Sequence, residues 1–469
     1  MDVDGVALPD NWVLTEFGTL FKIQGGTQPP RSQHVSKKKN GYVRFIQIRD
    51  FASDEHITYI PDTGKLKYCQ DDDILIARYG ASLGRICRGK SGAYNVALVK
   101  VLFDKKQIDA DWVYYLLQSP WFQEPLFQVS RSAQEGFNQS ELYPRLIPLA
   151  PLPEQRRIAK DITIKTSRVR AVREQLGLTQ PLLRKFRQSI FAKAFSGELT
   201  KDWREQQTDL EPVSALLDHI RVERKKLLGK KYKEAQSVDK SDLTKLPMGW
   251  EWVRLGEICL LNPKHKADLI SANTAVTFTP MPAIDAKLGE IVDYQERPFD
   301  KVRKGYTHFS DGDVLFAKIT PCMENGKAAI ARNLKNGIGC GSTELHVLRP
   351  LLGISAEYIY YYVRQEIFRK RAEANMTGTA GQLRVPVDFI REHIFPLPSI
   401  KEQAYIVGVL NKALERMNLI EGLADKTLLE CERLPQAILA KAFRGELVEQ
   451  DPNDEPASVL LKKIREKKK

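Results

Sequence analysis

Residues 154–199 read EQRRIAKDITIKTSRVRAVREQLGLTQPLLRKFRQSIFAKAFSGEL. Ile158, Ile162, Lys165, Val169, Val172, Leu176, Thr179, Leu183, Phe186, Ile190 and Lys193 advance in alternating steps of four and three. That spacing lays one mostly apolar seam along a helix. Lys165 is its clear polar interruption. Adding 248 to each number gives Ile406, Leu410, Ala413, Met417, Ile420, Ala424, Thr427, Cys431, Leu434, Ile438 and Lys441, a second seam in register with the first. One long seam cannot bury itself, so two of them predict an antiparallel pair of helices within one chain. A helix over residues 154–197 would be ~66 Å long at 1.5 Å per residue. Gly197 and Gly445 stand where a left-handed residue would end each helix. Pro181 and Pro435 lie inside and are expected to kink or break them at different places.

The repeat extends outward from the helices. Leu8-Pro-Asp-Asn-Trp12 returns as Leu246-Pro-Met-Gly-Trp250, and Asp73-Ile-Leu-Ile-Ala-Arg78 as Asp313-Val-Leu-Phe-Ala-Lys318. Ala-Lys-Ala-Phe-x-Gly-Glu-Leu stands at 192–199 and again at 440–447. The order is the same in both halves, as a duplicated architecture requires. Before each seam lies a stretch of short β-type runs (42–48, 74–77, 97–103, 314–319, 345–348) and helical runs (111–118, 356–371), split by Gly, Pro and Asn turns. The reading is α+β. It comprises a first globular domain (1–150), a first long helix (151–200), a solvent-exposed linker with one short helix (201–245), a second globular domain (246–395), a second long helix (396–447) and a tail helix (448–469).

Bulk properties narrow the function. A hydrophobic share of 42% supplies filled cores. No stretch approaches the ~20 apolar residues of a membrane helix. Six scattered cysteines without metal or redox spacing read as reduced thiols in a cytosolic protein. The formal charge of +13 points to a polyanionic partner. Residues 154–193 alone carry eleven Lys or Arg against three acidic side chains. That composition suits either phosphate contacts or a solvated helix exterior.

Catalytic signals are poor. Gly84-Arg-Ile-Cys-Arg-Gly89-Lys90-Ser91 fits the spacing of a phosphate-binding loop, but Gly92-Ala-Tyr-Asn95 after it is a poor helix start. The histidines lack metal-site spacing, and the Asn-Pro-Pro-aromatic signature of amino-methyltransferases is absent. Polar, Gly-containing loops are the better candidates, because Arg, Lys, Asn, Gln and Thr are what base edges require. They supply Thr27, Gln28, Arg78, Tyr79, Gln134 and Asn138 in the first domain, with Arg44 on a strand. The second domain offers Lys318, Thr320, Asn325, Lys327, Thr377, Thr379 and Gln382.

The chain resembles the specificity subunits of type I restriction-modification systems. The resemblance is carried by Leu8-Pro-x-x-Trp12 and Leu246-Pro-x-x-Trp250, by residues 73–78 with Tyr79-Gly80-Ala81, and by Glu154-Gln155 and Glu402-Gln403 at the helix starts. The repeated Ala-Lys-Ala-Phe-x-Gly-Glu-Leu element is its most specific part. It implies two target-recognition domains, each reading one half of a bipartite, asymmetric site in double-stranded DNA. It also implies paired spacer helices that fix the gap and dock two methyltransferase subunits, which bind S-adenosylmethionine and modify adenine. Restriction subunits using ATP and Mg join that complex. The chain itself would be a non-catalytic, cytoplasmic protein without a cofactor. The competing readings are a coiled-coil adaptor and an NTPase using residues 84–91.

Overall fold

The computed structural model describes residues 2–3, 6–130, 136–234, 236–379 and 381–468. The chain forms two compact units, Met1–Gly177 with Ala424–Lys469, and Leu178–Leu423. Each holds one α+β domain and one half of each long helix. The units therefore cut across the chain order of the six segments read from the sequence.

The two domains share one strand plan. In the first unit, Ile74–Ala77 is central to a sheet with Lys22–Gly25, Leu98–Leu102 and Ile86–Cys87. A second sheet runs Thr58–Pro61, Tyr42–Ile46, Gly92–Tyr94, Tyr68–Cys69, with one parallel pairing. In the second unit, Val314–Ala317 takes the central place beside Cys259–Leu261, Leu345–Pro350 and Ala328–Ile330. Its other sheet, Gln295–Pro298, Ala275–Thr279, Ile338–Gly341, Thr307–Ser310, also has one parallel pairing. Both central strands are unbroken apolar runs, buried at every position, as strands covered on both faces must be. A two-stranded ribbon closes each domain, Val13–Glu16 with Leu146–Leu149 and Glu251–Arg254 with Ile394–Leu397.

The expected helix over 356–371 is two helices, Ala356–Val363 and Glu366–Ala374, because Gln365 adopts an extended backbone as the second helix's cap. The first long helix is also two pieces, Leu152–Gly177 and Thr179–Ser196. Pro181 has no N–H for the Gly177 carbonyl, and its ring crowds that carbonyl, so the break falls one turn upstream. The second long helix, Ile400–Ala442, passes through Pro435 uninterrupted, so the expected break there does not occur.

Within each unit the long-helix halves run antiparallel. Arg173–Glu432 in the first unit and Arg187–Glu421 in the second, both at 4.0 Å, mark the register. Ile158, Ile162, Ile190, Ile406, Leu410, Met417 and Ile438 are buried, and Val169, Leu176 and Leu183 are partly so. The helix ends also pack on the domains. Ile158 and Ile162 share a core with Trp112, Ile438 and Phe443, and Ile190 and Ile406 share one with Tyr358 and Phe395. Four seam residues, Val172, Phe186, Ile420 and Leu434, remain 45–54% exposed. They form two pairs related by the 248-residue repeat.

The segment 201–245 is more than a linker. Helix Val213–Leu228 buries Val213, Leu216 and Ile220 in the second unit, as Ala457–Lys468 buries Ala457, Leu460, Leu461 and Ile464 in the first. Trp203 stacks on Tyr405 at 4.7 Å.

Candidate nucleic-acid interface

The repeated Asp-to-cation strand motif has a structural logic. Asp73 accepts from the Gln70 amide (2.9 Å) and from Lys100 Nζ (3.0 Å), fixing the turn that starts the central strand. Burial works against its ionisation, but those donors hold its pKa below the usual carboxylate range. Asp313 does the same job with the Ser310 amide and Arg349, each at 2.7 Å. The strand then carries Arg78 or Lys318 to its far end, among the polar loops.

At that end of the first domain, Thr27 N–H donates to Tyr94 O at 3.0 Å, and Asn95 Nδ2 donates to Gln28 Oε1 at 3.0 Å. A Cβ on Gly26 would lie 2.2 Å from Asn95 O, so glycine is what lets these loops touch. Arg78 N–H donates to Ala97 O, and its Nε donates to Phe137 O at 2.7 Å. The guanidinium lies 5.1 Å from the Tyr79 ring centroid. Thr27, Gln28, Arg78 and Tyr79 are thus gathered around residues 94–97, with Asn95 as a member the sequence reading missed. Asn138 is used internally as the cap of helix Gln139–Leu142, accepting from Glu141 N–H at 3.0 Å. Arg44 is ion-paired with Asp54, which also holds Lys90. Gln134 lies outside the described residues.

In the second domain, residues 377–379 and 381–385 run beside the strand end. Val385 N–H donates to Lys318 O (2.8 Å), Thr320 N–H to Leu383 O (3.1 Å), and Thr377 and Arg384 exchange backbone bonds. Arg384 grips Glu344 through Nε and Nη2 at 2.9 and 2.8 Å. Lys318 is half-buried; burial lowers its pKa, partly countered by Glu344. Lys318, Thr320, Thr377 and Gln382 therefore come together, along with Glu344 and Arg384. No local signal names those last two, because their pairing spans 40 positions. Thr379, Gln382 and Asn325 are exposed. Lys327 donates one of its ammonium N–H groups to Met281 O at 3.0 Å.

Residues 84–91 do not form a phosphate cradle. They run through strand Ile86–Cys87, no helix follows, Lys90 is held by Asp54 at 2.8 Å and Ser91 bonds Asp71. Among the described residues, no cluster of three or more His, Cys, Asp or Glu is placed to hold a metal ion, and no helix is long and apolar enough to cross a membrane.

The paired motifs at the helix starts also make sense together. Gln155 accepts from the Asp109 amide (3.0 Å) and donates to Ala150 O (2.8 Å). Gln403 accepts from the Ser355 amide (2.9 Å) and donates to Pro398 O (3.1 Å). Each glutamine thereby ties the cap of a domain helix to the start of a long helix. Gly445 and Gly197, both at φ +76°, lie against Pro9 and Pro247, where a Cβ would approach within 2.2 and 2.4 Å. The Ala-Lys-Ala-Phe-x-Gly-Glu-Leu and Leu-Pro-x-x-Trp motifs are two sides of one joint.

Comparison with known proteins agrees with this architecture. Residues 9–167 match the type I restriction modification DNA specificity domain. The EcoEI and EcoAI type I restriction enzyme specificity subunits of Escherichia coli are 36% and 37% identical over 333 residues, which cover 61% of this chain. That match spans about half the length of each relative, 55% and 56%. The HsdS subunit from Thermoanaerobacter tengcongensis shares the fold, with a TM-score of 0.59 at 20% identity over 94% of this chain and 98% of that one. In motif, repeat and fold, the chain is similar to the specificity subunits of type I restriction-modification systems.

Proposed function

We propose that this chain is the DNA-reading subunit of a type I complex: each α+β domain recognises one half of a bipartite, asymmetric duplex target. The observation that carries the reading is the doubled loop cluster. A central strand delivers Arg78 in one domain and Lys318 in the other to a set of polar loops, and each domain is locked onto long-helix ends by the same Gln and Gly-Pro joints. The helix pair then sets the gap between half-targets, so spacer length becomes part of what is recognised.

Two methyltransferase subunits dock on the long helices in this proposal. The exposed pairs Val172 with Leu434 and Phe186 with Ile420 give two repeat-related apolar patches, one in each unit, matching two copies of one partner. S-adenosylmethionine belongs to those partners, and ATP and Mg to the restriction subunits that join them, in the cytoplasm. No catalytic step is assigned to this chain.

Exchange of residues 12–147 for another recognition domain, read out by mapping methylated adenines in host DNA, tests the proposal. One half of the methylated target should change while the other stays. A change in both halves, or in neither, overturns modular reading. DNA binding that lacks steep salt dependence and sequence selectivity would favour the adaptor reading instead.

A further inference from the structure

A notch of about 770 Å³ opens in the second unit between helices Thr179–Ser196 and Glu366–Ala374. Five cations line it, Arg184, Arg187, Arg364, Arg369 and Lys370, against three carboxylates. One of these, Glu324, belongs to the candidate reading loop 320–327, so loop and notch share a wall. Arg369 builds that wall by donating to Glu324 O, and its guanidinium lies beside Gly326. Glu366 is already occupied by Lys370 at 2.8 Å and by Gln188. Arg187 has its nearest carboxylate, Glu421, 4.0 Å away, and Arg184 is exposed.

The first unit shows what this position looks like without the charge. Phe122 and Phe368 are equivalent buried anchors, and the next residue in each case donates to an equivalent carbonyl, Gln123 to Gly84 O at 2.9 Å and Arg369 to Glu324 O. In that register Gln118, Gln123 and Glu124 replace Arg364, Arg369 and Lys370, and along the long helices Glu432 and Pro435 replace Arg184 and Arg187. None of the five positions is cationic in the first unit, and two are acidic. Arg364 and Arg369 also hold backbone carbonyls and Lys370 holds Glu366, but the first unit builds the same scaffold without a cation at any of these positions, which leaves their shared charge to be explained by a partner outside the chain.

We propose that the notch receives backbone phosphates of the duplex flanking the base pairs read by the 320–327 loop. The inference rests on the DNA-reading function above. A base edge touched by that loop brings its own sugar-phosphate strand to the adjoining wall, where arginines can grip it without regard to sequence. The two half-targets are then held unequally, the second with more electrostatic grip than the first.

The test uses the full-length chain and a duplex from a mapped methylated site, with affinity measured across a salt series. The Arg184→Gln/Lys370→Gln double variant should give a log Kd against log salt slope shallower by about 0.9 for each phosphate that is no longer neutralised. Binding should weaken while base preference at both half-targets stays the same, and Arg184→Lys/Lys370→Arg should behave as the parent. A double variant with the parent's slope and affinity overturns the notch while leaving DNA reading intact. A parent that does not bind the duplex overturns both. Variants that bind DNA normally but lose a methyltransferase subunit overturn the proposal and assign the notch to an acidic protein segment.

Discussion

The carboxylate that heads each long helix is buried in both units, 0% exposed at Glu154 and 1% at Glu402, yet the two are held differently. Glu402 accepts from Thr200 Oγ1 (2.5 Å), Arg204 Nη1 (3.0 Å) and Trp250 Nε1 (2.8 Å). Glu154 accepts from Asn11 Nδ2 (3.3 Å) and Gln450 Nε2 (2.8 Å). Asn11 stands where the second copy has Gly249, and the Trp12 indole N–H finds no hydrogen-bond partner among the described residues. Arg157, nearly one helical turn on from Glu154, pairs instead with Asp454 at 2.7 Å. The repeat has kept the position of the buried acid and let its chemistry drift from a charged pair to a pair of amides.

That contrast sets the largest expected effect. Glu402→Ala strands a guanidinium, an indole and a hydroxyl in a closed space, and should destabilise the second unit by about 3–5 kcal/mol. Glu154→Ala leaves only neutral amides unpaired and should cost about 1–3 kcal/mol. Urea unfolding with unit-resolved hydrogen exchange reads both, and an equal or inverted ranking would break the comparison. Acid should separate the units next. Burial pushes the His346 and His393 rings down to about 4, whereas unfolded histidine titrates near 6.5. Each ring's contribution is whole above about pH 6.5 and drains away as pH falls toward 4, by about 2 kcal/mol apiece at pH 5. Val99 and Arg145 occupy the matching places in the first unit, so amide exchange in the second should accelerate first on acidification. The smallest effect belongs to the cross-helix ion pairs. Arg173→Ala and Arg187→Ala should each cost under about 1 kcal/mol and fade in salt. Arg187 should lead slightly, because Glu421 is 17% exposed against 58% for Glu432.

Much of the fold was legible because it is periodic. The seam spacing located both long helices and their antiparallel partnership, and the Asp-to-cation runs located both central strands. Other features depend on geometry that sequence spacing does not encode. Val172, Phe186, Ile420 and Leu434 sit at seam positions yet remain exposed. The Gly177-to-Pro181 break and the unbroken passage through Pro435 show that one residue type acts differently by context. At the candidate interface, composition singled out loops rather than side chains. Arg78 and Lys318 were found because a strand motif points to them. Asn138 and Lys327 have the right chemistry and also hold internal hydrogen bonds, while Asn95, Glu344 and Arg384 join the clusters through long-range contacts.

The unit boundaries carry a consequence for how the molecule is made. The second unit uses one continuous stretch, Leu178–Leu423, whereas the first needs Ala424–Lys469 added to Met1–Gly177. Ile438, Phe443, Leu460 and Ile464 complete the core around Trp112 and Ile158. On the ribosome the domain translated first is therefore finished last. It waits with Ile158 and Ile162 uncovered while the later-encoded unit closes. Loss of the final helix would spare the second unit and leave its elder sibling open, prone to aggregation through the faces that were waiting to be sealed.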